Sequence, residues 1–387
     1  MSRRIPGREP SFAGSVQLRA WRSPVVSTRV LPPPDGSGPV DEPLDRQWTE
    51  YFAAPTREAR DRLVVRYTPL VRVVAHRVME LIAEKKLLPE GALSFLVGSV
   101  RDLLAHLGPQ DVLAFTGSGE TGFALRSTPN LIRNSVRINV EADSLNAAVL
   151  GPEVEPRSDM YELFLKDVVR DMTQKAGQKC TAIRRVLVPQ EWYSSVKQDL
   201  AELLGAIRVG DPKNEDVRMG PLASRAQLAD VREGIERLGG RRAFTMATPL
   251  PTRGFFHSPV LLEEAGEAVH EREVFGPVAT LLRYKDNPAD IVTRGAGGLV
   301  SSVYSDDQEF IERMVGALAP YHGRLFLGHP KIELSPGPGT VLPQLVHGGP
   351  GRAGGGEELG GPRGLAFYLQ RVALEGSRPV IAKLLGK

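Results

Sequence analysis

Apolar residues along most of this chain fall into short runs, separated by longer stretches with helical spacing. The short runs are rich in β-branched and aliphatic residues and predict strands, at 94–98, 111–117, 136–140, 184–189, 259–264, 278–284, 299–305 and 324–328. The longer stretches predict helices, at 101–107, 160–176, 191–204, 224–238 and 306–317. Strands that alternate with helices predict an α/β fold with a largely parallel sheet.

The beginning of the chain has a different pattern. Residues 1–44 are dominated by Pro, Gly, Ser and Arg. Such a composition buries too little apolar surface to offset its ordering entropy, so we expect a disordered tail. Residues 45–78 carry apolar side chains at helical spacing with arginines on the opposite face, which predicts a helical segment.

The composition is that of an ordinary folded protein. The chain has 387 residues, of which 41% are hydrophobic and 25% charged, and this favours two or three domains. The net charge of +3 gives no reason to expect a membrane or a nucleic acid as partner. No stretch approaches the ~20 apolar residues of a membrane helix. Cys180 is the only cysteine, which excludes an intrachain disulfide and fits a cytoplasmic protein.

Two segments carry candidate nucleophile and phosphate chemistry. FTGSGETG at 115–122 leads a predicted strand into glycines, which suits close approach of a phosphate, although such glycines more often form only a turn. Cys180 lies in a predicted turn between a helix and a strand, and its neighbours Lys179 and Arg184 would favour the thiolate. The alternative for a lone cysteine is an inert, buried side chain.

Two further segments contain acidic residues near predicted strands. Glu141 directly follows the strand at 136–140, and a carboxylate at the C-terminal end of a strand faces the cleft of an open α/β sheet. In EREVFGPV, Glu273 and Phe275 stand before a Gly-Pro turn. Taken singly, Glu141 is better explained as a solvated or capping acid, and the second segment as a loop.

Together, the order and spacing of these four segments resemble the aldehyde dehydrogenase superfamily. VGDP, MGPL and the glycine-rich HGGPGRAGGGEELGG at 347–361 match it as well. EADSLNAAVLGP and AGQKCTAIRR are most similar to the semialdehyde dehydrogenases of phenylacetate and benzoate degradation, which act on CoA-linked semialdehydes. The resemblance covers about residues 78–387. It implies a truncated Rossmann-type cofactor region at 79–143, an α/β catalytic domain at 144–362 and a C-terminal oligomerisation strand within 363–387.

The resemblance also implies a role for each candidate residue. Cys180 would attack the aldehyde carbon, and Glu141 would activate the water that hydrolyses the resulting thioester. The backbone N–H of Cys180 would donate to the oxyanion. The cofactor would be NAD or NADP, and no metal is implied. The cofactor contacts would be Thr116, Gly117, Ser118 and Gly122 near the pyrophosphate, Glu273 at the nicotinamide ribose and Phe275 near the nicotinamide.

The sequence departs from the family pattern at several positions. Gly119 stands where the family commonly has threonine, and Ala142-Asp143-Ser144 stand where it commonly has Leu-Gly-Gly. Before residue 78 we find no counterpart of the family's first cofactor-binding strands, its ribose-binding lysine or its oxyanion-hole asparagine. Residues 45–78 instead resemble the start of region 2 of flagellar and sporulation-type sigma factors.

The resemblance therefore predicts NAD(P)-dependent oxidation of an aldehyde to the acid, with a CoA-linked semialdehyde from aromatic catabolism as the expected substrate and a homo-oligomer as the expected assembly. Two alternatives come from other classes of protein. One is a catalytically dead fragment that pairs with a full-length paralogue, and the other is an RNA-polymerase-associated module acting through residues 45–78. A cofactor-independent esterase activity of Cys180 is a further hypothesis. The residues decide neither between NAD and NADP nor which aldehyde is oxidised.

Overall fold

The structure is a computed structural model that describes most of the chain after residue 101. The described residues are 81–82, 84–89, 92, 102–246, 248–331, 337–340, 347–356 and 361–386. The predicted tail, the sigma-factor-like segment and the strand predicted at 94–98 lie outside them. The chain divides into one unit that ends at His106 and another that begins at Leu107.

In the first unit, the helix predicted at 101–107 is a four-residue 3-10 turn, Leu103–His106. None of its four side chains is fully buried.

The second unit alternates strands and helices as the sequence predicts. Its strands are β1 Val112–Gly117, β2 Arg137–Ala142, β3 Ala147–Leu150, β4 Arg185–Pro189, β5 Arg241–Arg242, β6 Val260–Glu263, β7 Val278–Tyr284, β8 Gly298–Tyr304 and β9 His322–Leu327. Its helices are α1 Gly119–Arg126, α2 Pro129–Arg133, α3 Asp159–Thr173, α4 Tyr193–Gly205, α5 Arg225–Leu238, α6 Pro288–Thr293, α7 Gln308–Leu318, α8 Gly361–Tyr368 and α9 Arg378–Leu384.

These strands form two sheets. β1 and β2 pair in parallel, with Thr116 opposite Glu141 and Gly117 opposite Ala142. The other seven strands form one sheet in the order β5-β6-β7-β4-β3-β8-β9, in which only β5 runs antiparallel. The α/β fold with a largely parallel sheet is therefore confirmed. The chain passes from the smaller sheet to the larger one after Ala142, close to the border proposed between residues 143 and 144.

The core lies on both faces of the seven-stranded sheet. β3, β4 and β8 are buried along their whole length, as parallel strands covered by helices on both sides must be. On one face, α3 packs Phe164 and Val168 against the sheet, and Ser158 caps its N-terminus by accepting from the Tyr161 amide. None of the described helices is long and apolar enough to cross a membrane.

The expected C-terminal strand is not present in this structure. The described residues 361–386 form α8 and α9, and the segment 369–377 between the helices has no regular structure. A strand exists only when a neighbouring strand pairs with its N–H and C=O groups. No described strand of this chain pairs with the segment, and an oligomerisation strand would pair with another chain, so the expected strand stays a prediction.

Candidate active site

Glu141 and Cys180 come from different parts of the fold, and the Glu141 carboxylate lies within 4.8 Å of Cys180 Sγ. Glu141 is the fifth residue of β2 and is 5% exposed. Cys180 is half-buried in the turn before β4, the central strand of the larger sheet. The Asn146 side chain fixes this turn, because its amide donates at 2.9 Å to the carbonyls of Cys180 and Ala182. The predicted site residues are thus brought together.

The turn that leads to Cys180 contains unusual backbone. Lys175, Ala176 and Gly177 have φ values of 54°, 53° and 68°, in the left-handed region. A Cβ on Gly177 would lie 2.1 Å from the backbone oxygen of Gly276. This close approach places the loop that contains Glu273 and Phe275 directly against the Cys180 turn. Such strain persists only where the surrounding packing enforces it, as is common at functional sites.

A histidine completes the site. The His347 side chain is 1% exposed, and its Nε2 lies 3.4 Å from Cys180 Sγ and 3.2 Å from Glu141 Oε1. The other ring nitrogen, Nδ1, is buried with no partner among the described residues, so Nε2 makes both polar contacts. Burial opposes a charged ring, but the hydrogen bonds to Cys180 and Glu141 outweigh it and raise the pKa of His347 to about 9. The site therefore holds a thiol, an imidazole and a carboxylate in mutual contact.

His347 is the functional residue that the sequence analysis missed. It opens the glycine-rich run at 347–361, which carries part of the family resemblance but gives no candidate site residue. The run reaches the site because its glycines allow close backbone contact: a Cβ on Gly323 would lie 1.6 Å from the Gly348 oxygen, and one on Gly349 would lie 2.1 Å from the Gly298 oxygen. The sequence does show a histidine directly before several glycines, a pattern that allows a close approach of the backbone to other segments.

Lys179 and Arg184 do not serve the thiol as expected. The Lys179 ammonium donates to Asp171 Oδ1 at 2.6 Å in a buried pair. The Arg184 side chain donates to Glu273 Oε1 at 3.1 Å and to the Gly276 oxygen at 2.8 Å. Both cations therefore bind other groups, although they are close to Cys180 in the sequence. The side chain that contacts the sulfur is His347.

The candidate phosphate loop lies between β1 and α1. Ser118 caps α1 by accepting from the Thr121 amide at 3.2 Å, which places the free amides of the first turn beside Gly117. Gly122 is buried one turn later, and a Cβ there would lie 2.8 Å from Val140 Cγ1. Packing of α1 on β2 thus accounts for Gly122, whereas a cofactor contact by Thr116, Gly117, Ser118 or Gly122 stays a prediction.

The two departures from the family pattern meet in space. A Cβ on Gly119 would lie 3.2 Å from both Cβ and Oδ2 of Asp143. The Asp143 side chain thus occupies the space that a larger residue at position 119 would need. Arg352 in turn pairs with Asp143 through Nη2 at 3.0 Å, which offsets the carboxylate charge beside the loop. The absence of a side chain at Gly119 therefore leaves room for the side chain of Asp143.

Glu273 and Phe275 lie on two sides of Arg184. Glu273 Oε2 accepts from the Ser144 amide at 3.2 Å, and its burial raises the pKa of this carboxyl against the opposing charge of Arg184. Phe275 is 40% exposed, and the Arg184 guanidinium lies 5.4 Å from its ring centroid. The exposed aromatic face next to a buried carboxylate is compatible with the predicted nicotinamide end of a cofactor site.

We expect Asn146→Leu to destabilise the protein and displace the Cys180 turn. The substitution keeps the volume but leaves the Cys180 and Ala182 carbonyls and the Val300 amide without their partner. Each buried unpaired group costs about 1–3 kcal/mol, so urea denaturation should show a loss of about 3 kcal/mol or more. Exposed Asn214→Leu is the control. A loss below about 1 kcal/mol in Asn146→Leu would contradict this role for the side chain.

The site places a buried carboxylate and a buried imidazole beside a half-buried thiol. This arrangement in an α/β fold is typical of an enzyme with a cysteine nucleophile. The profile of the "Aldehyde dehydrogenase family" matches residues 59–373, and the chain belongs to this family. The match begins at residue 59 rather than near residue 78, so it includes part of the segment that resembles a sigma factor. That second resemblance stays a prediction.

Individual relatives agree with this assignment. The chain is 41% identical over 292 residues to 3,4-dehydroadipyl-CoA semialdehyde dehydrogenase of Aromatoleum evansii, a match that covers 72% of this chain and 57% of the relative. It is 39% identical to protein MaoC of Klebsiella aerogenes over 43% of this chain and 52% of that protein. The chain thus spans little more than half the length of these relatives.

Solved structures show the same fold. Betaine aldehyde dehydrogenase of Staphylococcus aureus, in complex with NAD⁺, superposes with a TM-score of 0.67 at 24% identity, covering 78% of this chain and 60% of that chain. Lactaldehyde dehydrogenase of Escherichia coli superposes with a TM-score of 0.65 at 23% identity, covering 77% and 61%.

Proposed function

We propose that this chain oxidises an aldehyde to the corresponding acid with NAD or NADP, and that its substrate is a CoA-linked semialdehyde from aromatic catabolism. The observation that carries the proposal is the contact between Cys180, His347 and Glu141, which come from three distant segments. In this proposal, residues 79–143 form the cofactor region and residues 144–362 the catalytic domain.

The three side chains divide the chemistry between them. His347, whose pKa of about 9 keeps the ring protonated at neutral pH, donates from Nε2 to the sulfur of Cys180, 3.4 Å away, and the sulfur adds as a thiolate to the aldehyde carbon. Once that carbon has been oxidised, the substrate is held as a thioester on the sulfur. Glu141 then takes a proton from a water molecule, which attacks the thioester carbon and releases the acid and the thiolate. His347, between sulfur and carboxylate, keeps both groups oriented through the cycle.

The cofactor residues fit a dinucleotide in their chemistry. A nicotinamide cofactor, when bound, accepts the hydride that leaves the aldehyde carbon. Thr116, Gly117 and Ser118 offer a strand end and free helix amides to a pyrophosphate, with the nearby Asp143 charge offset by Arg352. The Glu273 carboxylate can accept a hydrogen bond from a ribose hydroxyl group.

The substrate class rests on the relative from Aromatoleum evansii, whose name states a CoA-linked semialdehyde. The test follows cofactor reduction by the near-ultraviolet absorbance of the reduced nicotinamide. The purified full chain is given NAD⁺ or NADP⁺ with a CoA-linked semialdehyde, and separately with a simple aliphatic aldehyde. Reduction that requires aldehyde and vanishes in Cys180→Ser supports the function. Folded protein that reduces neither cofactor with either substrate overturns it.

We expect Glu141→Gln to separate the two halves of the reaction. The amide cannot accept a proton from water, so the thioester should form once and then persist. One equivalent of reduced cofactor should appear quickly, followed by turnover slower by about 10²–10⁴-fold. Stopped-flow absorbance and the intact mass of the acylated chain measure the two stages. Glu155→Gln, a change at an exposed acid, is the control. Steady turnover without a burst would contradict the role of Glu141.

A partner chain is the second candidate, because the C-terminal residues expose apolar side chains. Six are 39–68% exposed: Leu365, Tyr368, Val372, Leu374, Val380 and Leu384. We propose that this surface pairs with another copy of the chain or with a full-length paralogue. Replacing Val380 and Leu384 together by glutamate should lower the mass measured by light scattering. An unchanged mass in a folded variant would rule this surface out. Binding of RNA polymerase through residues 45–78 stays a prediction.

A further inference from the structure

The donors at the candidate active site form a ligand set for a metal ion. Cys180 Sγ, His347 Nε2 and a Glu141 carboxylate oxygen all lie within 4.8 Å of one another. We propose that these three atoms bind Zn²⁺ reversibly, and that the bound ion blocks the nucleophile. The effect on turnover rests on the proposed function, whereas the binding site itself does not. The sequence predicts no metal because the donors lie at positions 141, 180 and 347, without ligand spacing.

The distances suit zinc. Zinc bonds are roughly 2.3 Å long to sulfur and about 2.0–2.2 Å to nitrogen and oxygen, so adjacent ligand atoms around a tetrahedral ion lie about 3.3–3.6 Å apart. The observed separations are 3.4 Å from Sγ to Nε2 and 3.2 Å from Nε2 to Oε1. The third pair, Cys180 Sγ and the Glu141 carboxylate oxygen, lies within 4.8 Å, so one ion can reach all three atoms after a side-chain movement of about 1 Å.

The donor types select among divalent ions. A thiolate and an imidazole favour zinc over Mg²⁺ and Ca²⁺, which take oxygen ligands. The thiolate and the carboxylate together carry two negative charges, which a divalent cation neutralises. Three protein ligands leave a fourth tetrahedral position open, as in zinc sites that exchange a water molecule or a small ligand. Cys180 is only half-buried, so the ion has a path to the sulfur.

The site is already assembled without the ion. The side chains of His347 and Glu141 are 1% and 6% exposed, and the hydrogen bonds of Asn146 hold the Cys180 turn. Each donor comes from a different packed segment, so binding costs little ordering of the chain. Zinc on Sγ occupies the lone pair that attacks the aldehyde carbon. The expected consequence is an enzyme that loses activity with Zn²⁺ and regains it with a chelator.

The first experiment uses Co²⁺ as a spectroscopic substitute for Zn²⁺. The reduced, metal-free full chain is titrated with Co²⁺, and a thiolate-to-cobalt charge-transfer band should grow to one equivalent and disappear when Zn²⁺ is added. Cys180→Ser should remove the band, and His347→Gln and Glu141→Gln should each weaken Zn²⁺ binding by more than about 10-fold, since loss even of an outer partner costs 10–100-fold. His329→Gln, at an exposed histidine, should bind as the original chain does.

The second experiment uses the only cysteine in the chain. Iodoacetamide adds one group to Cys180, which intact mass reports without ambiguity. Zn²⁺ should slow this alkylation and a chelator should restore it, whereas in Glu141→Gln, whose side chain keeps its shape, the protection should largely disappear. Equal Zn²⁺ affinity in the original chain and the ligand variants, or alkylation unaffected by saturating Zn²⁺, would overturn the proposal. Neither readout needs aldehyde or cofactor, so an inactive dehydrogenase leaves the test intact.

Discussion

Cys180→Ala is expected to abolish aldehyde-dependent cofactor reduction, with a loss of about 10³-fold or more. Without the sulfur, no covalent adduct forms at the aldehyde carbon, and His347 and Glu141 have no bound intermediate on which to act. The stability should change little, because the side chain is half-buried and its sulfur makes one polar contact, with His347. The variant therefore separates a catalytic role from a structural one.

The measurement compares the initial rates of the original chain and Cys180→Ala at saturating cofactor, together with their urea midpoints. Thr181→Ser is the matched control, because it alters the next residue of the same turn while keeping the hydroxyl that donates to the Gly339 oxygen. We expect the control to retain most of the activity. A Cys180→Ala protein whose rate stays within tenfold of the original would exclude this cysteine as the nucleophile.

The sequence predicted the sheet well where strands are rich in β-branched and long aliphatic residues. β7 reads VATLLRY and β8 reads GLVSSVY, and both lie within a residue of the predicted bounds. β3 was missed because its residues are AAVL, and alanine has little preference for strands. Its place between β4 and β8 comes from burial of small side chains in the middle of the sheet. That is a property of the packed structure and not of the segment.

The sequence predicts only those site residues that lie in recognisable segments, and not those placed by packing between distant segments. Glu141 and Cys180 could be predicted because each lies at the end of a recognisable element and carries the family resemblance. His347 could not, because it reaches the sulfur only through backbone contacts between glycines of distant segments. Lys179 and Arg184 were misjudged because the direction of a side chain in an irregular turn depends on distant carboxylates, here Asp171 and Glu273.

Gly177→Ala should strongly destabilise the protein. The residue has a φ of +68°, which alone costs alanine about 1 kcal/mol. In addition, the new Cβ would lie 2.1 Å from the Gly276 oxygen, a backbone atom that no side-chain rotation can move. The turn and the loop at Gly276 must therefore separate, and we expect a loss of about 4 kcal/mol or more in the free energy of unfolding, measured in urea.

The control for this prediction is Gly205→Ala, at the C-terminal end of α4. A Cβ there has no atom within 4 Å, and the residue has no positive φ, so alanine should be neutral or slightly stabilising in the helix. Any Gly177→Ala protein that folds should also lose activity, because separation of the two loops moves Cys180 away from Glu273 and Phe275. A stable and fully active Gly177→Ala would show that contact between these loops is not required for the site.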